Sequence, residues 1–363
     1  MTLPEPPSPT IRQLARAVFP TASAGRDRPI YWYATASEAL AAAIQALGRT
    51  VVWFPAYFCN EALRYVRRLP IDLRFYDVRP DLTIDWEVLE REIGNFRHSS
   101  LLVLVHYFGC PNHTETARDF CNSHSIVLIE DAAHAIMQTP GIGCASAVLF
   151  SPRKLFAVPR GGQLLMDEHL AGGLPGPTAS NSSDIWGWAA RRLIQRALSK
   201  AGVPWHFLPT YRHPPVSGSA IPTGNGFHAC VPYIQRLVSV AEREIPAVIA
   251  ARRGHYLQLR KWCGQQQEFQ PIFTDLPSGV CPYVFAGLVK TNVEHWVDIL
   301  RSKGIPASRW PDLPPEVHDS SRFPWSLALA GRTVLLPVHQ SLTEDQVERM
   351  GELLASIGAL TRK

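Results

Sequence analysis

The stretch that decides the fold runs from Leu101 to Lys154 and reads LLVLVHYFGCPNHTETARDFCNSHSIVLIEDAAHAIMQTPGIGCASAVLFSPRK. It contains three short apolar runs, at 101–105, 126–129 and 147–150, and none of them alternates between apolar and polar residues. Runs of this kind suit strands that are buried on both faces of a parallel sheet. The segment 114–123 between the first two runs is typical of a helix. This alternation predicts an α/β fold with a mostly parallel sheet.

The same pattern extends to both sides of this stretch. The segment Ser37–Leu47 (SEALAAAIQAL) is rich in Ala and Leu, which favour helix. A second helix is predicted at 86–93. Further strands are predicted at 50–54, where Pro55 ends the run, at 73–78 and at 163–166. The α/β pattern therefore spans Ala34 to about Leu165.

The composition changes after residue 167, which suggests how the chain is divided. The segment 167–226 is rich in Gly, Pro, Ser and Asn around one predicted helix, and we interpret it as an insertion. A long helix is expected from 232 to 262, followed by a second alternation of strands and helices. We therefore predict an N-terminal arm (1–30), a large domain (31–235, with the insertion) and a smaller C-terminal α+β domain (236–363).

The helix predicted at 185–200 has a basic polar face, with Arg191, Arg192, Arg196 and Lys200. A basic amphipathic helix can lie on a membrane surface or on a partner protein. It can equally be a surface helix that packs on its own domain. The sequence leaves both interpretations open and favours the second.

Composition excludes several classes of protein. The net charge of +5 is mild and the basic residues form no dense run, so no nucleic-acid partner is expected. The seven cysteines show no CxxC spacing, so neither a disulfide scaffold nor a metal site is expected. No run approaches the roughly 20 apolar residues that span a bilayer, and prolines interrupt the N-terminus where a signal peptide needs an apolar core. We expect a cytoplasmic protein without membrane contact.

Polar residues follow three of the predicted strands where each strand ends. His106 follows the first apolar run, Asp131 the second, and Ser151 and Lys154 the third. In an open parallel sheet, ligands bind outside the carboxyl ends of the strands. The four side chains are therefore expected at one crevice, although a structural role for His106 remains equally open.

A lysine and an aspartate in one crevice suit pyridoxal 5′-phosphate (PLP). A lysine in an apolar pocket loses its charge more easily and becomes a better nucleophile toward an aldehyde such as that of PLP. A carboxylate beside the pyridine nitrogen keeps that nitrogen protonated, which the electron-withdrawing ring requires. Because many strand ends carry such residues, the pair indicates PLP only together with further motifs.

Further motifs, in their order along the chain, resemble the DegT/DnrJ/EryC1/StrS family of PLP-dependent aminotransferases of fold type I. The resemblance runs from about Ala34 to the C-terminus. It rests on these segments: Ala36-Ser37-Glu38-Ala39-Leu40, Pro55-Ala56-Tyr57-Phe58, Phe75-Tyr76-Asp77-Val78, Val105-His106-Tyr107-Phe108-Gly109, Glu130-Asp131-Ala132-Ala133-His134-Ala135, Phe150-Ser151-Pro152-Arg153-Lys154 with Gly161-Gly162, Gly304-Ile305-Pro306, and Leu336-Pro337-Val338-His339-Gln340-Ser341-Leu342-Thr343.

The resemblance implies a role for each matched residue. Lys154 would carry PLP as a Schiff base, Asp131 would meet the ring nitrogen and His134 would approach the ring hydroxyl. Ala36 and Ser37, at a helix start where Ser37 is expected as the N-cap, would receive the phosphate. Tyr57 or Phe58 would stack on the ring, and strand alternation favours Tyr57.

Three positions depart from the family pattern. The usual phosphate-binding serine is replaced by Leu149, so that Ser151 or the helix start would hold the phosphate. Arg160 replaces an acidic residue before the double glycine. In this family one motif reaches the partner subunit. Asn225 matches that motif only if the alignment is shifted by one residue.

The resemblance implies that the chain would be a homodimeric aminotransferase with a shared active site. It would move an amino group from an amino-acid donor, glutamate, to a ketone acceptor, which in this family is commonly a nucleotide-linked keto sugar. One alternative is a PLP enzyme that acts on a non-sugar ketone or on an amino acid in natural-product biosynthesis. Another is a non-catalytic protein with the same fold. Sugar dehydration is disfavoured because the related dehydratases have a histidine in place of Lys154.

Overall fold

The computed structural model describes residues 7–19, 28–179, 184–200, 226–263, 268–290 and 292–360. Within these ranges the chain forms two sheets with helices packed against them. The strands are β1 (Ile30–Tyr33), β2 (Val51–Pro55), β3 (Asp72–Tyr76), β4 (Ser100–Val105), β5 (Val127–Asp131), β6 (Ala147–Phe150), β7 (Gly162–Met166), β8 (Phe269–Pro271), β9 (Val284–Val289), β10 (Ser308–Arg309) and β11 (Thr333–Pro337).

The larger sheet has seven strands in the order β1-β7-β6-β5-β4-β2-β3. The five strands from β3 to β6 pair in parallel, whereas β7 and β1 are antiparallel additions at one edge. In the register of the central strands, Val105 is opposite Asp131 and Asp131 is opposite Leu149. The carboxyl ends of β4, β5 and β6 therefore meet at one edge, as the α/β interpretation predicts.

The central strands are buried along their whole length, since every residue of β2, β4 and β6 is buried. This explains why their sequences are continuous apolar runs. Helices cover the sheet, with α2 against β6 and β7, and α4 against β4 and β5. The predicted α/β fold with a mostly parallel sheet is therefore confirmed.

The smaller sheet contains four antiparallel strands in the order β10-β11-β9-β8. It has its own apolar core, in which Trp296, Phe285 and Leu336 are fully buried. Within the described ranges the α-helices are α1 (Ile11–Arg16), α2 (Ala36–Leu47), α3 (Trp86–Ile93), α4 (Thr114–Ser123), α5 (Glu168–Ala171), α6 (Ile185–Lys200), α7 (Pro232–Glu242), α8 (Ile245–Cys263), α9 (Val293–Ser302), α10 (Pro324–Arg332) and α11 (Glu344–Leu360).

The prediction of a single long helix at 232–262 is wrong in one respect: the structure divides this segment into two helices, α7 and α8. The break lies just before Pro246. A proline there has no N–H to donate to the carbonyl of Glu242, and its ring clashes with that carbonyl. The sequence contained this signal, which the apolar pattern on both sides obscured.

The basic helix α6 packs on its own chain. Ile185 and Ala189 are buried in a cluster with residues of α7, and Arg196 donates a hydrogen bond of 3.0 Å to the carbonyl oxygen of Ser8. These contacts favour the interpretation of a packed surface helix. Among the described residues, no helix is both long enough and apolar enough to span a bilayer.

Candidate active site

Asp131 and Lys154 follow neighbouring strands at the carboxyl edge of the larger sheet. Asp131 is the last residue of β5 and is buried. Lys154 ends a single 3-10 turn, Pro152–Lys154, that follows β6, and its backbone N–H donates to the carbonyl of Ser151 at 3.1 Å. The two side chains attract each other electrostatically, so they lie near one another at these strand ends.

The environment of Lys154 makes its amine easier to deprotonate. Burial lowers the pKa of Lys154 to about 8, although the negative charge of Asp131 acts in the opposite direction. Arg153 adds to the lowering. A lysine with a pKa near 8 carries a sizeable neutral fraction at neutral pH, and the neutral amine is the nucleophilic form.

The pKa of Asp131 is raised by its burial, while Lys154 and the N–H of Ala133 act to lower it. That N–H donates to Oδ1 of Asp131 at 2.9 Å, which fixes the carboxylate. A fixed carboxylate in a buried position is suited to hold a proton on a ligand nitrogen.

His134 is buried between two parallel aromatic rings. Its imidazole stacks on Tyr283, with centroids 4.7 Å apart, and lies parallel to Phe108 at 5.9 Å. Burial and the nearby charges of Lys154 and Arg153 hold the pKa of His134 well below its usual range, so the ring is neutral. Nδ1 accepts the backbone N–H of Phe108 at 3.2 Å, which leaves the proton on Nε2. His134 therefore offers a hydrogen-bond donor to a ligand oxygen.

Phe108 adopts a left-handed conformation, with φ of 56°, next to this histidine. Its N–H binds His134, and its carbonyl accepts the N–H of Tyr283 at 2.9 Å. Non-glycine residues with positive φ are strained and are found preferentially at functional sites. Here the strained residue fixes both partners of the stacked pair.

Tyr57 and Phe58, the two candidates for stacking on the cofactor, lie in different surroundings. Tyr57 is fully buried and stacks on Trp310 with centroids 4.3 Å apart, and its hydroxyl bonds Thr333 at 3.0 Å. Phe58 packs against Phe54 in the core. Tyr57 thus belongs to the aromatic cluster around His134, which Trp310 also contacts, and its role toward the cofactor stays a prediction.

The N-terminus of α2 lies beside the double glycine that follows Lys154. Here one expectation is wrong, because Thr35 and not Ser37 is the N-cap: its hydroxyl accepts the N–H of Glu38 at 3.2 Å. Ser37 is the second residue of the helix, half-buried at the end where free N–H groups attract anions. Because Thr35 caps the helix, the hydroxyl of Ser37 takes no part in the cap.

Gly162 is the close point between this helix and β7. A Cβ atom at Gly162 would lie 2.3 Å from the carbonyl oxygen of Thr35 and 2.7 Å from the backbone nitrogen of Ala36. The N–H of Gly161 donates to the carbonyl of Ala34 at 2.9 Å. The glycine pair therefore brings the strand against the helix start that was predicted to receive a phosphate.

For the other predicted site residues, the described part of the structure does not show a contact that indicates a role toward the cofactor. His106 is fully buried, with Nε2 bonded to Glu130 at 3.0 Å and Nδ1 accepting the N–H of Asn112 at 3.0 Å, which favours the structural role. Ser151 is buried at the end of β6, and its phosphate role stays a prediction. Asn225 lies outside the described residues.

Sequence reasoning missed several residues of this site. Glu38 is buried and accepts two hydrogen bonds from His228, through the backbone N–H at 3.2 Å and Nδ1 at 2.8 Å. Tyr283 and Trp310 reach the site from the C-terminal half of the chain. No local pattern marks Tyr283 and Trp310, because only the tertiary fold brings them against His134.

The residues present fit PLP. They supply an amine for the aldehyde, a fixed carboxylate for the ring nitrogen and a neutral imidazole N–H for the ring hydroxyl. A glycine without room for a Cβ lies beside the helix start that would face the phosphate. The buried indole N–H of Trp310 has no hydrogen-bond partner among the described residues, so one further donor remains in the aromatic cluster.

Residues 33–171 match the sequence profile of the DegT/DnrJ/EryC1/StrS aminotransferase family. A comparison with curated protein sequences finds no significant match. Solved structures share the fold. The aminotransferase TlmJ from Streptoalloteichus hindustanus superposes with a TM-score of 0.68 at 18% identity, covering 92% of this chain and 86% of TlmJ. The protein Spr1654 from Streptococcus pneumoniae, solved in its PLP form, gives 0.72 at 13% identity with 99% of each chain covered.

A third structure, DesI in the presence of its TDP-sugar product, gives a TM-score of 0.64 at 18% identity and covers 97% of this chain and 86% of DesI. At these identities the structural comparisons show the fold, which is that of the fold-type-I PLP aminotransferases. The matched segment contains Asp131 and Lys154. In this segment and in its fold, the chain is similar to the DegT/DnrJ/EryC1/StrS family of aminotransferases.

Proposed function

We propose that the enzyme transfers an amino group from glutamate to a keto sugar that is linked to a nucleotide. The observation that carries the proposal is the pair at the ends of β5 and β6, a lysine with lowered pKa beside a fixed buried carboxylate, inside the segment that matches the family. The TDP-sugar product of DesI supports the acceptor class.

Bound PLP would supply an aldehyde and an electron-withdrawing ring. Lys154 would bind the aldehyde and, once released by the donor, move a proton at the α-carbon of the substrate with its Nζ. Asp131 would hold the proton on the ring nitrogen. His134 would donate from Nε2 to the ring hydroxyl, and its position is fixed by Phe108 and Tyr283.

The proposal includes a homodimer. Large apolar side chains are exposed on and beside α1 and α6, and their burial in an assembly would be favourable. They are Ile11, Val18, Phe19, Trp186 and Ile194. Light scattering on the purified protein tests this part, and a monomer at micromolar concentration would contradict it.

The donor half of the reaction is tested by the visible absorption of the PLP-loaded protein before and after addition of glutamate. We expect a yellow band that glutamate bleaches. A band that forms but does not respond to glutamate would overturn the donor and keep the cofactor. No band would contradict the enzyme assignment and favour a non-catalytic protein of the same fold.

The acceptor is tested on the amino-loaded form of the enzyme. We expect the yellow band to return with a nucleotide-linked keto sugar, and much more slowly with the same keto sugar lacking the nucleotide. A faster return with non-sugar ketones or 2-oxo acids would replace the sugar by another acceptor. Lys154→Ala serves as the control that should respond to none of them.

A further inference from the structure

We infer that Arg252 is a positioning residue for Lys154 and Tyr283, and that it acts through hydrogen bonds to the backbone beside Lys154 and at Tyr283. Arg252 lies in α8 and is fully buried. Neither the family motifs nor the strand ends point to it. The inference rests on the proposed function, because it assigns a role in the same site.

The guanidinium of Arg252 joins three separate segments of the chain. Nη2 donates to the carbonyl oxygen of Leu155 at 3.0 Å, one residue after the cofactor lysine. Nη1 donates to the carbonyl oxygens of Pro282 at 3.1 Å and Tyr283 at 3.0 Å. Nε donates to Oε1 of Gln340 at 2.9 Å. Gln340 in turn donates to the same Leu155 oxygen at 3.0 Å.

Both anchored segments carry side chains of the site. Leu155 directly follows the 3-10 turn that ends in Lys154. The hydrogen bonds to its carbonyl oxygen therefore hold the end of that turn in place. The ring of Tyr283 stacks on His134 and lies 5.8 Å from Nζ of Lys154. Arg252 therefore sets the position of the amine relative to the imidazole through hydrogen bonds, without contact to either side chain.

The chemistry of this position requires arginine. A buried charge is unfavourable unless hydrogen bonds satisfy it, and here four oxygens accept from it. No ion pair to a carboxylate is formed by Arg252 within the described ranges, so its contacts are all to neutral oxygens. The planar guanidinium reaches three segments at once, whereas the single ammonium of a lysine cannot span them.

The neighbouring Arg253 provides a matched control. It also donates to backbone carbonyls, those of Leu276, Pro277 and Val280, but none of these belongs to the lysine turn or to Tyr283. Removal of Arg253 should therefore affect stability without a specific effect on Lys154.

The test compares Arg252→Lys with Arg253→Met in two measurements. The first is the pH dependence of labelling of Lys154 by an amine-reactive reagent, followed by peptide mass spectrometry on protein without cofactor. We expect wild type and Arg253→Met to titrate near the pKa of about 8, and Arg252→Lys to titrate higher, because the loosened turn exposes the amine. The second is the rate of the donor half-reaction, which should fall by about 10- to 100-fold in Arg252→Lys only.

Gln340→Leu is the second variant: it removes one of the two donors to Leu155 and the acceptor of Arg252 Nε, while Arg252 keeps its bonds to Leu155, Pro282 and Tyr283. We expect an intermediate shift in the Lys154 titration. Titrations of Arg252→Lys and Gln340→Leu that coincide with that of Arg253→Met would overturn the inference. If instead wild type forms no chromophore with PLP, the proposed function fails while the labelling experiment still decides the role of Arg252.

Discussion

The phenol ring of Tyr283 lies flat on the imidazole of His134, with centroids 4.7 Å apart and planes within 10°. The two residues come from opposite halves of the chain, yet both are tied to Phe108, which donates its N–H to His134 and accepts the N–H of Tyr283. The stack therefore fixes the ring that faces the cofactor in our proposal.

Loss of this stack should reduce the rate of amino transfer. Aromatic pairs contribute about 0.5–1.5 kcal/mol beyond buried area, so Tyr283→Ala should slow the donor half-reaction by about tenfold. Tyr283→Phe keeps the ring and should stay within about twofold of wild type. Stopped-flow absorption measures both rates. Equal rates for the two variants would show that the stack does not position His134.

His134 should act as a neutral hydrogen-bond donor. Its pKa is held well below the usual value, so no inflection near pH 6.5 should arise from it in the pH profile of the half-reaction. His134→Gln keeps an N–H donor and should retain most of the activity, whereas His134→Ala should lose about tenfold or more. A pH profile that loses an inflection near 6.5 in His134→Gln would contradict the neutral assignment.

The close approach at Gly162 should be essential for cofactor affinity. In Gly162→Ala the new methyl would lie 2.3 Å from the Thr35 oxygen, so the strand and the helix start must separate. Overpacking of this kind costs about 1–3 kcal/mol. If that cost falls on the phosphate-binding helix start, it corresponds to roughly a 5- to 150-fold rise in the Kd of PLP.

The control for this variant is Gly172→Ala, since a Cβ at Gly172 meets nothing within 4 Å. Equilibrium titration with PLP measures both proteins. A similar Kd for the two variants would show that the start of α2 takes no part in binding the phosphate.

Asp131 should influence both the cofactor and the free lysine. It raises the pKa of Lys154 against the lowering effect of burial. In Asp131→Asn that pKa should therefore fall further below about 8, so that a larger fraction of the amine is neutral at pH 7 and labelling at that pH is faster. The donor half-reaction should nevertheless be slowed by about 100-fold or more, because the amide cannot stabilise a protonated ring nitrogen. Slower labelling of Asp131→Asn would contradict the electrostatic pairing.

The central strands and the pair Asp131 and Lys154 could be recognised from local sequence, since uninterrupted apolar runs and the polar residues that end them need no distant partner. Elements that depend on distant partners could not. At the start of helix α10, the Asp77 carboxylate accepts hydrogen bonds from the N–H groups of Trp325 and Ser326, at 3.0 and 2.9 Å. Because Asp77 is distant in sequence, the residues near Trp325 do not indicate this cap. Likewise β1 exists because it pairs with β7 about 130 residues later.

The same distinction holds inside the site. The motif residues of the N-terminal half were identifiable one by one, whereas Tyr283, Arg252 and Trp310 act through packing that spans the whole chain. The N-cap of α2 was misplaced because Thr35 and Ser37 are both residue types that cap helices, and only the backbone at Thr35, extended with φ of −138°, decides between them.

In the proposed enzyme, Lys154 bonds covalently to the cofactor. Borohydride reduction of the PLP-loaded protein makes such a bond permanent, and peptide mass spectrometry then locates it. We predict that the peptide containing Lys154 gains the mass of the reduced cofactor and that Lys154→Ala gains none at any site. A label on another lysine, or no label on the wild-type protein, would contradict the account.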